Sequence, residues 1–131
     1  MNVNKLIPKD KHDIEAVHRL KKYPFDEIKA IIPQLLEWLQ DINWPVAKPL
    51  VDYLKPYTEL ISNELLAIIK SDDYMWKYWI IVKFGPLVSN ASIQQEILEM
   101  AASVPQNDDE RELKILCFDI ATERKWDLDL S

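Results

Sequence analysis

A chain of 131 residues, 48% of them apolar and 29% charged, fits a single domain with one core and a solvated surface. It holds one glycine against eight prolines, and hairpin sandwiches or Gly-rich nucleotide loops need glycine at positive φ, so all-β and Rossmann-type folds lose their support. A net charge of −6 and a pI near 4.9 argue against nucleic acid or an anionic membrane as the partner.

Helical periodicity runs through the sequence. Asp13 is placed to cap a first short helix from about Asp13 to Lys22, with Val17 and Leu20 as apolar positions. The run "YPFDEIKAIIPQLLEWLQ" predicts a second, with Pro24 at its first position and Asp26 and Glu27 in the turn where the helix dipole favours acids. Ile28, Ile31, Ile32, Leu35, Leu36 and Leu39 form its stripe, and Pro33 predicts a kink or break. A third helix starts near Pro45, with a bend expected at Pro49. After Pro56, "YTELISNELLAIIK" is amphipathic again, and Ser71 or Asp72 is expected to cap a fifth helix that Gly85-Pro86 stops. Ser92 with Gln95, and Asn107 with Glu110, have the spacing of capping boxes that open two more helices. The closing "DLDLS" reads as frayed.

The expectation is therefore about seven helices on short loops, an all-α domain of αα-hairpins spanning residues 1–131 with its core over about 5–126. An internal echo adds to this. Residues 38–50 set against 70–82 place Asp41 on Asp73, Trp44 on Trp76 and Leu50 on Val82, and a looser copy begins at Asp10. Periods near 30–45 residues with two helices per unit mark helical solenoids.

The run from Tyr74 to Phe84 contains five aromatic residues. On a helical wheel it is apolar nearly all round, which is the pattern of a buried central helix, with Trp79 as a core anchor. A stacking platform is the alternative, and the core reading is preferred. The turns before the two Trp-headed helices gather Asp41, Asn43, Trp44, Lys48, Asp72, Asp73, Trp76 and Lys77. Capping accounts for the acids and the amide. Equivalent turns of a solenoid nonetheless line up along one edge, so these eight are the candidate partner-binding residues, with Lys48 one turn from Trp44 and able to stack on it.

No catalytic or metal-binding constellation emerges. His12 and His18 are six apart without an HExxH pattern, and Asp72-Asp73 and Asp108-Asp109-Glu110 lack the spacing of a calcium loop. Cys117 sits among apolar neighbours that quiet a thiol. No catalytic residue, cofactor or metal is expected. A single cysteine, no apolar leader region and no stretch near 18 apolar residues point to a cytosolic protein without a membrane span.

Charge is uneven. Residues 1–70 balance ten Lys/Arg against ten Asp/Glu, whereas residues 71–131 hold six against twelve. The basic start, residues 1–22, reads as a solvated helix face rather than an anion site.

The elements "LLEWLQDINWPVAKPLVDYL" (Leu35 to Leu54) and "DDYMWKYWII" (Asp72 to Ile81), with the opening "LIPKDKHDIEAV", resemble the bacterial family known as domain of unknown function 5071. The resemblance covers about residues 5–126 and rests most on "NWPVAKP". It implies a HEAT-like helical-repeat fold, a short right-handed superhelix, and no established activity, so no catalytic residue follows from it. The expected function is a non-catalytic protein–protein interaction module binding another cytosolic protein, a basic one given the acidic second half, with an immunity-type protein as one form. The alternative is a small-ligand binder or enzyme using a groove near Trp44 and Trp76. Nucleic-acid binding through residues 1–22 is the weakest of the three.

Overall fold

The computed structural model describes residues 3–127, and every described regular element is helical. The expectation about "DLDLS" falls mostly on residues 128–131, outside the described residues. After a 3₁₀ turn at Val3–Leu6, α1 spans Ile14–Leu20, and Asp13 caps it by accepting from the Ala16 N–H at 3.3 Å. Next, α2 (Phe25–Ile28), a 3₁₀ turn (Lys29–Ile31) and α3 (Ile32–Glu37) form one interrupted rod. The interruption is where Pro33 requires it: a continuing helix would set its ring against the residue 29 carbonyl and lose one amide bond. Pro24 proves to be the cap residue, one position earlier than expected.

Helix α4 spans Ala47–Leu54 and runs into a 3₁₀ turn at Lys55–Tyr57. Pro49 lies in its first turn, where a missing N–H breaks no bond, so the expected bend has no cause. α5 is Ser62–Ile69 and α6 is Tyr74–Phe84, which passes into a 3₁₀ turn at Gly85–Leu87. α7 (Ala91–Ala101) and α8 (Asp108–Arg124) complete the chain. Counting the α2–α3 rod once leaves seven rods among the described residues.

Two expected caps shift. Asp73, not Ser71 or Asp72, caps α6 by accepting from the Trp76 N–H at 3.1 Å, while the Ser71 hydroxyl accepts from the Asp73 N–H. Asn90, not Ser92, caps α7 by accepting from the Ile93 N–H at 3.0 Å. Asn107 caps α8 as expected, accepting from the Glu110 N–H at 2.9 Å. That helix closes with Lys125 in the left-handed region (φ 58°, ψ 36°), and the Lys125 and Trp126 amides donate back to Thr122 and Ala121.

In the second half the packing is regular. α5 packs on α6 and α7 on α8; α5 also meets α7, and α6 meets α8. In the first half α1 packs on α4, and the Val46 N–H donates to the Lys11 carbonyl at 3.0 Å, tying the turns that precede those two helices. One contiguous apolar cluster runs from Leu6 to Ile120 through both halves.

That core is aliphatic. Among the largest fully buried side chains, Phe84 is the lone aromatic beside leucines and isoleucines. This corrects the reading of α6 as buried all round. Its core face is Ile80, Ile81 and Phe84, whereas Tyr74, Trp76, Tyr78 and Trp79 are half-buried. Trp79 packs edge-on against Tyr78 at 5.2 Å instead of anchoring the core. The wheel registers polarity, but burial depends on which neighbours cover each side, and α6 is covered on part of its circumference. The chain's one glycine is a packing residue: a Cβ at Gly85 would meet Ile120 Cδ1 at 3.0 Å and Ile81 Cγ2 at 3.3 Å.

Nor does the echo hold in register. Trp44 stands three residues before α4, while Trp76 is the third residue of α6. The sequence likeness therefore pairs a turn tryptophan with a helical one.

Candidate functional site

The eight candidate residues separate into capping roles and four cavities. Asp41 is spent locally: its Oδ1 accepts from the Asn43 N–H at 2.9 Å and its carbonyl from the Trp44 N–H at 3.2 Å. Asp73 caps α6, and Asp72 is exposed beside it. Side chains that satisfy helix starts are not thereby available to a ligand.

Trp76 reaches back to the first half, its Nε1–H donating to the Leu36 carbonyl at 3.0 Å. With Pro33, Leu36, Ala67 and Ile68 it lines an apolar groove of about 290 Å³, with Glu37, Glu64 and Ser71 as polar members. Trp44 lines a different cleft of about 330 Å³ with Ile7, Pro8 and Trp38, and meets Trp38 edge-on at 5.5 Å. The two indoles thus do not converge on one pocket, although Glu37 lines both cavities.

Lys48 extends along α4 to Asp52 at 3.1 Å rather than over Trp44. Together with Asn43 it lines a third cavity of about 370 Å³, joined there by Ile42, Val51, Lys55 and Lys83. Lys77 faces a fourth, between α6, α7 and α8, with Met100, Ser103, Glu110 and Leu113. Of the eight, Asn43 and Lys48 are the pair that the fold brings to one cavity. Sequence spacing missed Lys55 and Lys83. Lys83 follows Trp76 by seven residues and shares its helical side, yet Trp76 lines a different cavity, so that spacing gave no sign of it.

Reactive groups lie elsewhere. Cys117 is buried, and burial pushes its thiol up to about 12, with Lys77 opposing the shift. Among the described residues no group of three or more His, Cys, Asp or Glu side chains is placed to hold a metal ion. No described helix is long and apolar enough to cross a membrane.

The most distinctive surface is on α8. Leu113, Cys117, Ile120 and Ala121 are buried, while Asp108, Asp109, Arg111, Glu112, Ile115, Phe118, Asp119, Thr122 and Glu123 are exposed. At 100° per residue the exposed set occupies one arc of about 180°. It offers five acids against one base, and Arg111 is already paired to Asp108 at 3.3 Å. Two apolar side chains stand in this arc, Ile115 at 55% and Phe118 at 38% exposure. Glu112 is steadied by the Tyr74 hydroxyl, which donates to its Oε2 at 2.6 Å.

Comparison with curated proteins finds no match. A family's sequence model, described as a domain of unknown function, does match, and it covers residues 6–121. The helical architecture and this match agree with the resemblance carried by the Leu35–Leu54 and Asp72–Ile81 elements: the chain belongs to the DUF5071 family.

Proposed function

We propose that this protein is a non-catalytic interaction module, a short HEAT-like helical repeat that recognises a basic protein partner through the outward arc of α8. The observation that carries the reading is that arc, with Ile115 and Phe118 exposed among Asp108, Glu112, Asp119 and Glu123. Apolar anchors ringed by one sign of charge are what a protein interface asks for: the anchors supply burial, and the charges steer and orient the partner. The successive packing of α5 with α7 and α6 with α8 supports the repeat description. A basic toxin domain neutralised in the cytoplasm is one form of such a partner.

The test is capture from the source cell's cytosol by the tagged protein and by an Ile115→Ser, Phe118→Ser variant. Both sites are exposed, so the variant is expected to melt with the parent. A basic protein held stoichiometrically by the parent, released as salt rises and lost by the folded variant, is the expected result. Capture that survives salt or the double substitution overturns the α8 reading.

The apolar groove beside Trp76 favours a second reading, a small apolar ligand seated between α3, α5 and α6. Ala67→Phe would fill that groove. If a captured ligand is lost in this variant while the α8 variant keeps it, the second reading replaces the first.

A further inference from the structure

We infer that the cavity between the turn at Ile42 and Asn43, helix α4 and the last turn of α6 binds a small organic phosphate monoester. The site differs from α8 in place and in sign of charge, and it does not rest on the interaction-module reading. Its polar wall comes from three elements: Lys48 in the first turn of α4, Lys55 just past its end, and Lys83 near the end of α6. Asp52 is the one acid lining it, and Asp52 is engaged by Lys48 at 3.1 Å. Three lysines therefore line one space with a single acid among them, inside a chain of net charge −6. The cavity's lining side chains sum to a local excess of two positive charges.

Two of these cations are uncommitted. Neither Lys55 nor Lys83 makes an ion pair or a side-chain hydrogen bond among the described residues. Lys83 is moreover half-buried. Asn43 adds an amide donor: its backbone N–H goes to Asp41, and its side chain has no partner among the described residues. Such a donor-rich set, gathered from separate elements at close quarters, is matched by a compact dianion that accepts from several donors at once.

The apolar lining sets the rest of the ligand. Ile42 and Val51 line the cavity, and its volume of about 370 Å³ exceeds what a bare phosphate fills. Small-molecule sites fall at roughly 300–1,000 Å³ and combine apolar walls with a few placed polar groups. A phosphate on a small carbon framework satisfies both kinds of lining, with the phosphate at the lysines and the framework on Ile42 and Val51.

Phenyl phosphate is the probe, with inorganic phosphate and phenol as the two halves of its chemistry. Amide resonances are followed during each titration. Saturable shifts at Ile42, Asn43, Lys55 and Lys83, tighter for phenyl phosphate than for either half, are expected. Lys83→Met should weaken binding tenfold or more, and Lys55→Met, at an exposed position, should weaken it several-fold without affecting folding. Lys29→Met removes a lysine that lies away from this cavity, 4.0 Å from Asp26, and should leave binding unchanged. The inference is overturned by shifts that do not saturate, by equal losses in Lys29→Met and Lys55→Met, or by an acidic peptide that binds the same residues more tightly than phenyl phosphate.

Discussion

The two halves of the molecule reach one core by different means. Six of the eight prolines lie before residue 57, and no helix there exceeds eight residues. Beyond it the helices lengthen to eleven, eleven and seventeen residues for α6, α7 and α8. The short helices are nonetheless the more densely buried. Sixteen core residues fall between 3 and 57 and fifteen between 58 and 127, so the shorter segment gives up the greater share of its side chains to the interior. Prolines chop the first half into pieces that can each turn an apolar side inward. The uninterrupted second half instead leaves a long outward arc on α8, and the entire charge excess lies in this half. Helix length thus separates a half devoted to packing from a half with surface to spare.

The comparison breaks most readily in the core. Leu50→Ala, at a fully buried position of the first half, is expected to cost about 2–5 kcal/mol of unfolding free energy. Trp79→Ala, at a half-buried position of the second, is expected to cost about 1–2 kcal/mol despite its larger side chain. Urea titrations followed by circular dichroism and by tryptophan fluorescence test both. Equal costs would restore an aromatic core, and two separated transitions would show that the halves do not share one. A smaller effect is expected at the seam. Trp76→Phe keeps a ring in place but removes the donor to the Leu36 carbonyl, and should cost about 1 kcal/mol. No change would mean that packing alone joins α6 to α3.

The smallest expected effect concerns protons. Tyr53, in the first half, has a buried hydroxyl without a hydrogen-bond partner among the described residues, and burial, helped by nearby Tyr57, pushes its pKa up to about 12. An unfolded tyrosine titrates near 10. The folded state therefore holds a proton that the unfolded state gives up. The stability this contributes is complete below about pH 10 and disappears as the pH rises through about 12. Cys117 in the second half behaves alike, its window opening near pH 9. Tyr53→Phe should flatten the alkaline loss above pH 10 and leave neutral stability unchanged or higher by up to about 1 kcal/mol, since it deletes an unsatisfied buried group. Loss of stability at pH 7 in that variant would reveal a hydrogen bond to the hydroxyl.

Much of the helical order was legible in the residues themselves. Pro33 marked a break because its chemistry is local, and Asp13 and Asn107 marked starts because each had a clear run after it. Ser92 misled because Asn90, two positions earlier, competes for the same amides and takes the extended backbone (φ −62°, ψ 124°) that a cap requires. Sequence cannot rank such rivals when both are good caps. The candidate site was less legible still. Trp44 and Trp76 matched in composition but not in helical phase, and an offset of a few residues sent their rings to different cavities. Lys83 joined Lys48 and Asn43 because α6 ends over the turn before α4, a long-range placement that no local spacing encodes.

Gly85 carries a further consequence. Its missing side chain lets α6 end close against Ile120 of α8, whose side-chain tip would have to give by a few tenths of an ångström to admit a methyl group. A residue bulkier than alanine there is expected to call for a smaller side chain at 120, so the two positions are coupled. A bulky side chain at 85 alone is expected to press on α8, which carries Ile115 and Phe118 on its outer side. The contour of the outer surface is thereby tied to a single internal spacing, and drift in the interior would reach the outside as an altered shape.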